Sequence, residues 1–306
     1  MKGQYMNILI TGAWNHALEY LDKIKQQGHS VIFMQHEKNE LPCSYDWAEG
    51  IICNGLFLSH PIEKFKNLKY IQLTSAGFDR VPLEYVKEKK IEIHNARGVY
   101  SIPMAEFAVG AVLQLYKKSV FLYENQKKHR WEKHRGLLEL CGKEVCIVGC
   151  GNVGTECAKR FQAFDCRVVG VDLFPREDRH FDKMVSLEVL DTILTETDIL
   201  ILTLPLTNET RHIIDARRLS LLKNEAVLIN IARGAVVDTE ALITALDRLG
   251  GAVLDVLEQE PLDQSSPLWD KEHVIITPHN CFVGEGNGRR LDTLIMKIFE
   301  ERGKLS

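Results

Sequence analysis

The chain has 306 residues, 45% hydrophobic and 26% charged, which is enough for two cored domains of ordinary size and is not a disordered composition. A net charge of −4 argues against a general nucleic-acid binder, because neutralising phosphates takes a basic surface. The longest mostly apolar helix-like run, AEFAVGAVLQLY at 105–116, carries a glutamate and falls well short of a membrane span, and the apolar run at 6–10 is too short for a signal peptide.

A cytoplasmic protein is therefore expected, without membrane or nucleic-acid partners. The eight cysteines show no paired CxxC spacing and read as buried thiols in a reducing compartment, and no metal is expected. From the N-terminus, NILIT, SVIFM, EGIICN, KYIQLT and IEIHN are β-rich runs. They are separated by segments such as ALEYLDKIKQQG with apolar residues at helical spacing. This is the pattern of a small parallel α/β sheet. One long helical stretch from about Pro103 to His134 follows, a connector whose apolar faces could also bury against a second subunit. Its basic part, KKHRWEKHR at 127–135, reads as a solvated helix face. The alternation then restarts with EVCIVGCGNVG, CRVVGVDL, MVSL, DILILTL, AVLINI and GAVLDV, so the chain holds two sheets in series with no fixed-period repeat or low-complexity tract.

The restart carries a chemical signal. The strand VCIV runs into Gly149-Cys-Gly151-Asn-Val-Gly154 and then into TECAKRFQAF at helical spacing. Gly149 allows a tight turn, Gly151 the approach of a pyrophosphate and Gly154 the packing of helix on strand, while the helix N-terminus offers N–H groups to the phosphate. The next strand ends in Asp172, 21 residues beyond Gly151, where a carboxylate accepts from a ribose 2′-OH and repels a 2′-phosphate. NAD is favoured over NADP, with Arg176 nearby as the one opposing feature. Cys150 sits at a helix N-terminus, which can lower a thiol pKa, but a small side chain tolerated in a tight loop is the better reading.

Three later segments supply candidates for chemistry: LINIARGAVVDTEAL with Arg233, AVLDVLEQEPL with Asp255 and Glu260, and VIITPHN with His279. Each follows a β-like run, and ligands collect outside the carboxyl ends of strands in a doubly wound sheet. An arginine grips a carboxylate with two parallel bonds, a histidine exchanges a proton near neutral pH, and a carboxylate orients that histidine. Singly, each has a bland explanation, from a surface ion pair to a satisfied strand-end histidine. Together, beside a dinucleotide motif, they point to catalysis.

LINIARGAVVDTEAL, LDVLEQEPL and TPHN resemble the three signature segments of the NAD-dependent D-isomer-specific 2-hydroxyacid dehydrogenases, in order and at matching spacing. LTLPLTNETRHII at 202–214 resembles that family's adenosine-side segment, LTSAGFDRV its substrate loop and NARGVYSIPMAEFAVG its crossover between domains. The resemblance covers roughly Leu73 to His279. It implies an α/β chain of two doubly wound parallel-sheet domains: a discontinuous, flavodoxin-like substrate domain at 1–98 plus 281–306, and a Rossmann NAD-binding domain at 99–280. The last helix, around Asp292 to Arg302, is expected on the first domain. It further implies that Arg233 binds the substrate carboxylate and carbonyl, that His279 is the acid/base and that Glu260 is its partner. Ser75, Ala76 and Gly77 would offer N–H groups to the carboxylate, and Asp255 would lie by the nicotinamide carboxamide. Asn152 and Val153 in the glycine turn, Leu204, Pro205 and Thr210 on the adenosine side, and Ile231 and Ala232 before the arginine complete the expected cofactor contacts.

The sequence departs from the family at Asn280, Cys281 and Phe282, where a small glycine-rich pair is usual, and at Phe78, where a smaller β-branched residue is usual. The expected activity is hydride transfer between NAD(H) and a small D-2-hydroxy acid/2-oxo acid pair, in a homodimer formed through the helical arm at 103–135. The formate dehydrogenase subgroup has glutamine where this chain has Glu260. The alternative from a different class is an NAD(H)-sensing binding protein on the same fold. The pocket-wall loops at 14–16 and 53–60 match no motif, so glyoxylate, hydroxypyruvate, pyruvate and branched 2-oxo acids all remain open.

Overall fold

The computed structural model describes residues 5–304. Their contacts fall into two units, one formed by the chain up to Tyr100 together with the chain from Gly284 onward, the other by Ser101–Val283.

The first unit contains β1 (Asn7–Thr11), α1 (Ala17–Gln26), β2 (Ser30–Met34), β3 (Gly50–Cys53), β4 (Tyr70–Leu73), α2 (Leu83–Glu88) and β5 (Glu92–His94). Its strands form one parallel sheet in the order β2-β1-β3-β4-β5. Every residue of β3 and β4 is buried, which is why these runs are mostly apolar instead of alternating, the one amide, Gln72, donating to Leu73 O at 2.8 Å. The chain turns in opposite directions on leaving β1, so the β1/β3 boundary is the switch point of a flavodoxin-like order. Glu37 closes that point: its carboxylate accepts the Thr11 hydroxyl at 2.8 Å and the N–H groups of Asn54 and Gly55, each at 2.7 Å.

The second unit opens with α3 (Ser101–Tyr116) and α4 (Ser119–Lys127). It continues through β6 (Glu144–Val148), α5 (Asn152–Gln162), β7 (Arg167–Asp172), β8 (Lys183–Ser186), α6 (Leu190–Leu194) and β9 (Ile199–Leu202). It ends with α7 (Ala216–Leu221), β10 (Val227–Asn230), α8 (Thr239–Ala245), β11 (Gly251–Leu254) and β12 (Val274–Ile276). The seven strands are parallel in the order β12-β11-β10-β9-β6-β7-β8, the Rossmann order with one added edge strand. Alternation along β6 supplies both faces: Val145 and Ile147 pack with Ala105, Ala158 and Phe161 of α3 and α5, whereas Cys146 and Val148 pack with Leu190, Leu219 and Leu242 of α6, α7 and α8.

The single long helix suggested by the sequence over about 103–134 is instead two helices with no helix after Lys127. Lys118 adopts a left-handed φ of +50° between them. The returning chain holds the end of α3, with Leu138 N–H donating to Tyr116 O at 3.1 Å and Lys117 Nζ to Leu138 O at 2.6 Å. Residues 126–133 are all exposed, so the helical spacing there has no surface to bury against within the chain, and most helix stability comes from such burial. The basic segment is solvated as expected, but it is not a helix face beyond Lys127.

The last helix, α9 (Asn287–Lys304), belongs to the first unit. Leu291, Ile295, Met296 and Phe299 join Ile8, Ile10 and Trp14 in one core. Asp292 fixes it further, accepting Trp14 Nε1–H at 2.6 Å and bonding His16 Nδ1 at 2.8 Å. Among the described residues no helix is long and apolar enough to cross a membrane.

Candidate active site

The glycine turn joins β6 to α5 at the switch point between β6 and β9. Gly149 has φ +95°, and a Cβ there would lie 2.6 Å from Leu204 N; a Cβ on Gly154 would lie 2.2 Å from Gly149 O. A Cβ on Gly151, by contrast, would have nothing within 4 Å. Two glycines are thus demanded by packing and the third leaves an open approach to the first turn of α5, where Asn152, Val153 and Gly154 sit. This is a fitting cradle for a pyrophosphate. Asp172 closes it, its Oδ2 accepting Cys150 N–H at 2.7 Å and its Oδ1 accepting Phe174 N–H at 3.0 Å. Arg176 crosses the same loop, donating to Cys150 O at 2.8 Å. The Cys150 thiol is buried; burial first and then the Asp172 charge push it up to about 12, so it is a packed thiol and not a thiolate.

On the adenosine side, Leu204 is buried against the glycine turn and Pro205 is exposed. Thr210 is inside its own loop, its hydroxyl donating to Pro205 O at 2.8 Å and accepting Thr207 N–H at 2.7 Å, so it shapes that loop. Ile231 and Ala232 are buried just after β10.

Arg233 occupies the turn after β10. One guanidinium N–H donates to Ala232 O at 2.8 Å. Asn230, at the end of the otherwise apolar VLIN, straps this turn: its amide donates to Arg233 O at 3.0 Å and its Oδ1 accepts Ala232 N–H at 3.1 Å. Gly234 is required by space, since a Cβ there would lie 1.9 Å from Leu257 C and 2.4 Å from Glu258 N. That contact brings the Arg233 turn against the loop that carries Glu260. Glu260 is held by Leu257 N–H on Oε1 at 3.0 Å and presents Oε2 to His279 Nδ1 at 3.0 Å. The structure thus joins Glu260 to His279 directly and sets the turn that carries Arg233 against the Glu260 loop through Gly234, each of the three following a different strand.

His279 has φ +51°, a conformation rare for residues with a Cβ. Asp255, at the end of β11, holds it there. Its backbone O accepts His279 N–H at 2.8 Å, and its Oδ1 accepts Thr277 Oγ1–H at 2.6 Å, Asn280 N–H at 2.9 Å and Cys281 N–H at 3.0 Å. Its other oxygen, Oδ2, is buried and has no hydrogen-bond partner among the described residues, an acceptor available to a carboxamide N–H of the kind nicotinamide carries. Cys281 is buried beside it, burial and then Asp255 raising its thiol pKa well above the ordinary value, and the Phe282 ring stands edge-on to His279 at 6.4 Å. The sequence reading missed Asn230 and Thr277, whose signal was a polar residue ending or following a run of buried apolar ones.

In the first unit, Ser75, Ala76 and Gly77 form the loop after β4. Ser75 Oγ donates to Gly77 O at 3.1 Å, the Asn95 amide donates to Ala76 O, and Tyr100 donates to Thr74 O. The N–H groups of Ser75, Ala76 and Gly77 have no partner in the described chain.

Two stacked features, a Rossmann cradle and a histidine–carboxylate pair at neighbouring strand ends, define the class as a nicotinamide-dinucleotide-binding α/β protein. Residues 109–281 match the model of the D-isomer specific 2-hydroxyacid dehydrogenase NAD binding domain, and the chain belongs to that family. It is 38% identical over 221 residues to a glyoxylate reductase of Thermofilum pendens, covering 70% of this chain and 65%, under two thirds, of that relative. It is 34% identical to a hydroxypyruvate reductase of Thermotoga maritima, covering 79% of this chain and 80% of the relative. Among solved structures, D-lactate dehydrogenase from Aquifex aeolicus complexed with NAD and lactic acid is 29% identical with a TM-score of 0.76, over 96% of this chain and 94% of that one.

Proposed function

We propose that the protein is an NAD-dependent D-2-hydroxyacid dehydrogenase acting on a small D-2-hydroxy acid/2-oxo acid pair. The observation that carries this reading is the His279 Nδ1–Glu260 Oε2 bond of 3.0 Å, made beside a turn that carries Arg233. The nicotinamide, when bound, exchanges a hydride with C2 of the substrate. His279, tied through Nδ1, keeps Nε2 for the substrate oxygen, giving its proton in reduction and recovering it in oxidation. Glu260 fixes the ring's orientation and faces the imidazolium with a counter-charge. Arg233 takes the substrate carboxylate and polarises the neighbouring carbonyl. The N–H groups of Ser75, Ala76 and Gly77 are assigned to a carboxylate on the resemblance of their loop.

The glycine turn takes the pyrophosphate, Asp255 the nicotinamide carboxamide and Asp172 the ribose hydroxyls, which favours NAD over NADP because a 2′-phosphate would face a carboxylate. Glyoxylate and hydroxypyruvate lead the substrate candidates, since relatives reduce them by name; pyruvate and branched 2-oxo acids follow. A homodimer through 103–135 is supported by the exposed Val120, Leu122, Tyr123 and Trp131 on that arm. A cytoplasmic location is supported by eight free cysteines.

The test is NADH oxidation against a panel of 2-oxo acids, with NADPH alongside and the Arg233→Ala protein as control. Turnover of one member that is lost with Arg233 supports the reading and names the substrate. Silence across the panel with saturable NADH binding overturns it in favour of a cofactor sensor.

A further inference from the structure

The turn that carries Arg233 is gripped from two sides. On one side runs the 212–214 segment: His212 N–H donates to Ala235 O at 2.8 Å, Ile214 N–H to Val236 O at 3.1 Å, and Asp238 N–H to Ile214 O at 3.0 Å. On the other lies the 257–258 backbone, against which Gly234 is pressed. The two gripping segments are joined to each other by His212 Nε2 and Glu258 Oε1 at 2.6 Å. Glu258 Oε2 accepts the N–H of Thr239, the first residue of α8, at 2.9 Å. From the same loop Leu257 N–H holds Glu260. His212 is itself left-handed, with φ +49°, a conformation that persists in a residue with a Cβ only where its surroundings impose it.

We propose that His212 and Glu258 are positioning residues, a clamp that sets the distance between the Arg233 turn and the Glu260 loop so that carboxylate binding and proton transfer share one fixed geometry. The proposal rests on the roles given above to Arg233 and Glu260. Burial pushes the Glu258 carboxyl upward, but the bonds from Thr239 and His212 outweigh it and hold the group below its ordinary value, so it is the anion that the clamp uses. The side chains are 39% and 27% exposed, and ion pairs that exposed contribute little to stability. The consequence of losing the pair is therefore misplacement of its neighbours and not unfolding.

The variants are His212→Ala and His212→Gln, the latter keeping an amide donor that reaches the same carboxylate. Hydrogen exchange at Val236 and Val237, whose N–H groups close the turn onto Arg233 O and Gly234 O, reads the clamp without any turnover. Exchange there is expected to quicken about tenfold or more in His212→Ala and to return toward wild type in His212→Gln. With the 2-oxo acid found in the panel, His212→Ala is expected to raise KM and lower kcat, about tenfold or more in kcat/KM, at unchanged NADH affinity. Unchanged exchange in His212→Ala overturns the clamp, as does wild-type kcat/KM or a loss of NADH affinity equal to the loss in kcat/KM. Failure of the parent reading shows separately, as a wild-type protein silent on every 2-oxo acid, and the exchange result then still decides for or against the clamp.

Discussion

Two histidine–carboxylate pairs of nearly the same length, one in each unit, are placed in different surroundings. His16 and Asp292 lie 2.8 Å apart, and Asp292 is 9% exposed, taking Trp14 Nε1–H as well and pinning α9 beside β1. His279 and Glu260 lie 3.0 Å apart with both side chains about two-fifths exposed, 43% and 39%. The buried aspartate spends both oxygens on the turn between β1 and α1, Oδ1 on Trp14 and Oδ2 on His16, so that pair is a staple. The exposed glutamate is anchored by one backbone amide and spends its other oxygen on His279 Nδ1. Bond length does not separate the two pairs; what the carboxylate is also tied to does.

Substitutions in the two pairs should separate them sharply. His279→Ala is expected to lower kcat by ~10²- to 10⁴-fold, the usual worth of a positioned acid/base, while NADH binding measured by fluorescence stays intact. Turnover at the wild-type level would end the comparison. Glu260→Gln should cost less, roughly tenfold in kcat, because an amide still orients the ring but carries no counter-charge. A loss as large as that of His279→Ala would mean that the carboxylate does more than orient.

The staple should show in stability. The bond to Asp292 and then its charge raise the His16 pKa above 6.5, so the folded state favours the imidazolium. That contribution is complete below about pH 6.5 and is lost as pH rises through the folded value. His16→Ala should flatten this fall in the urea midpoint. A midpoint that keeps its pH slope in the variant would remove His16 from the account.

The sequence was most legible where burial is complete. NILIT, EGIICN, VCIV and AVLINI are strands because strands covered on both faces of a parallel sheet must be apolar at nearly every position. The glycine turn was legible because its residue types follow one another within a single strand–turn–helix run, where Gly154 presses on Gly149 O. The helical arm was not, since apolar spacing at 103–134 states what a helix could bury and not whether this chain supplies the surface; after Lys127 it does not.

The chemistry divides in the same way. Residue type and order marked Arg233, Glu260 and His279 before any coordinates, because few side chains bind carboxylates or exchange protons near neutral pH. Only the tertiary structure decided that Glu260 reaches His279, that Asn230 and Gly234 lock the arginine turn, and that His212 meets Glu258 across 46 positions of chain. The sequence determines which groups exist and which strands carry them. Their distances depend on parallel strands far apart in the chain being laid side by side, and no local pattern encodes that.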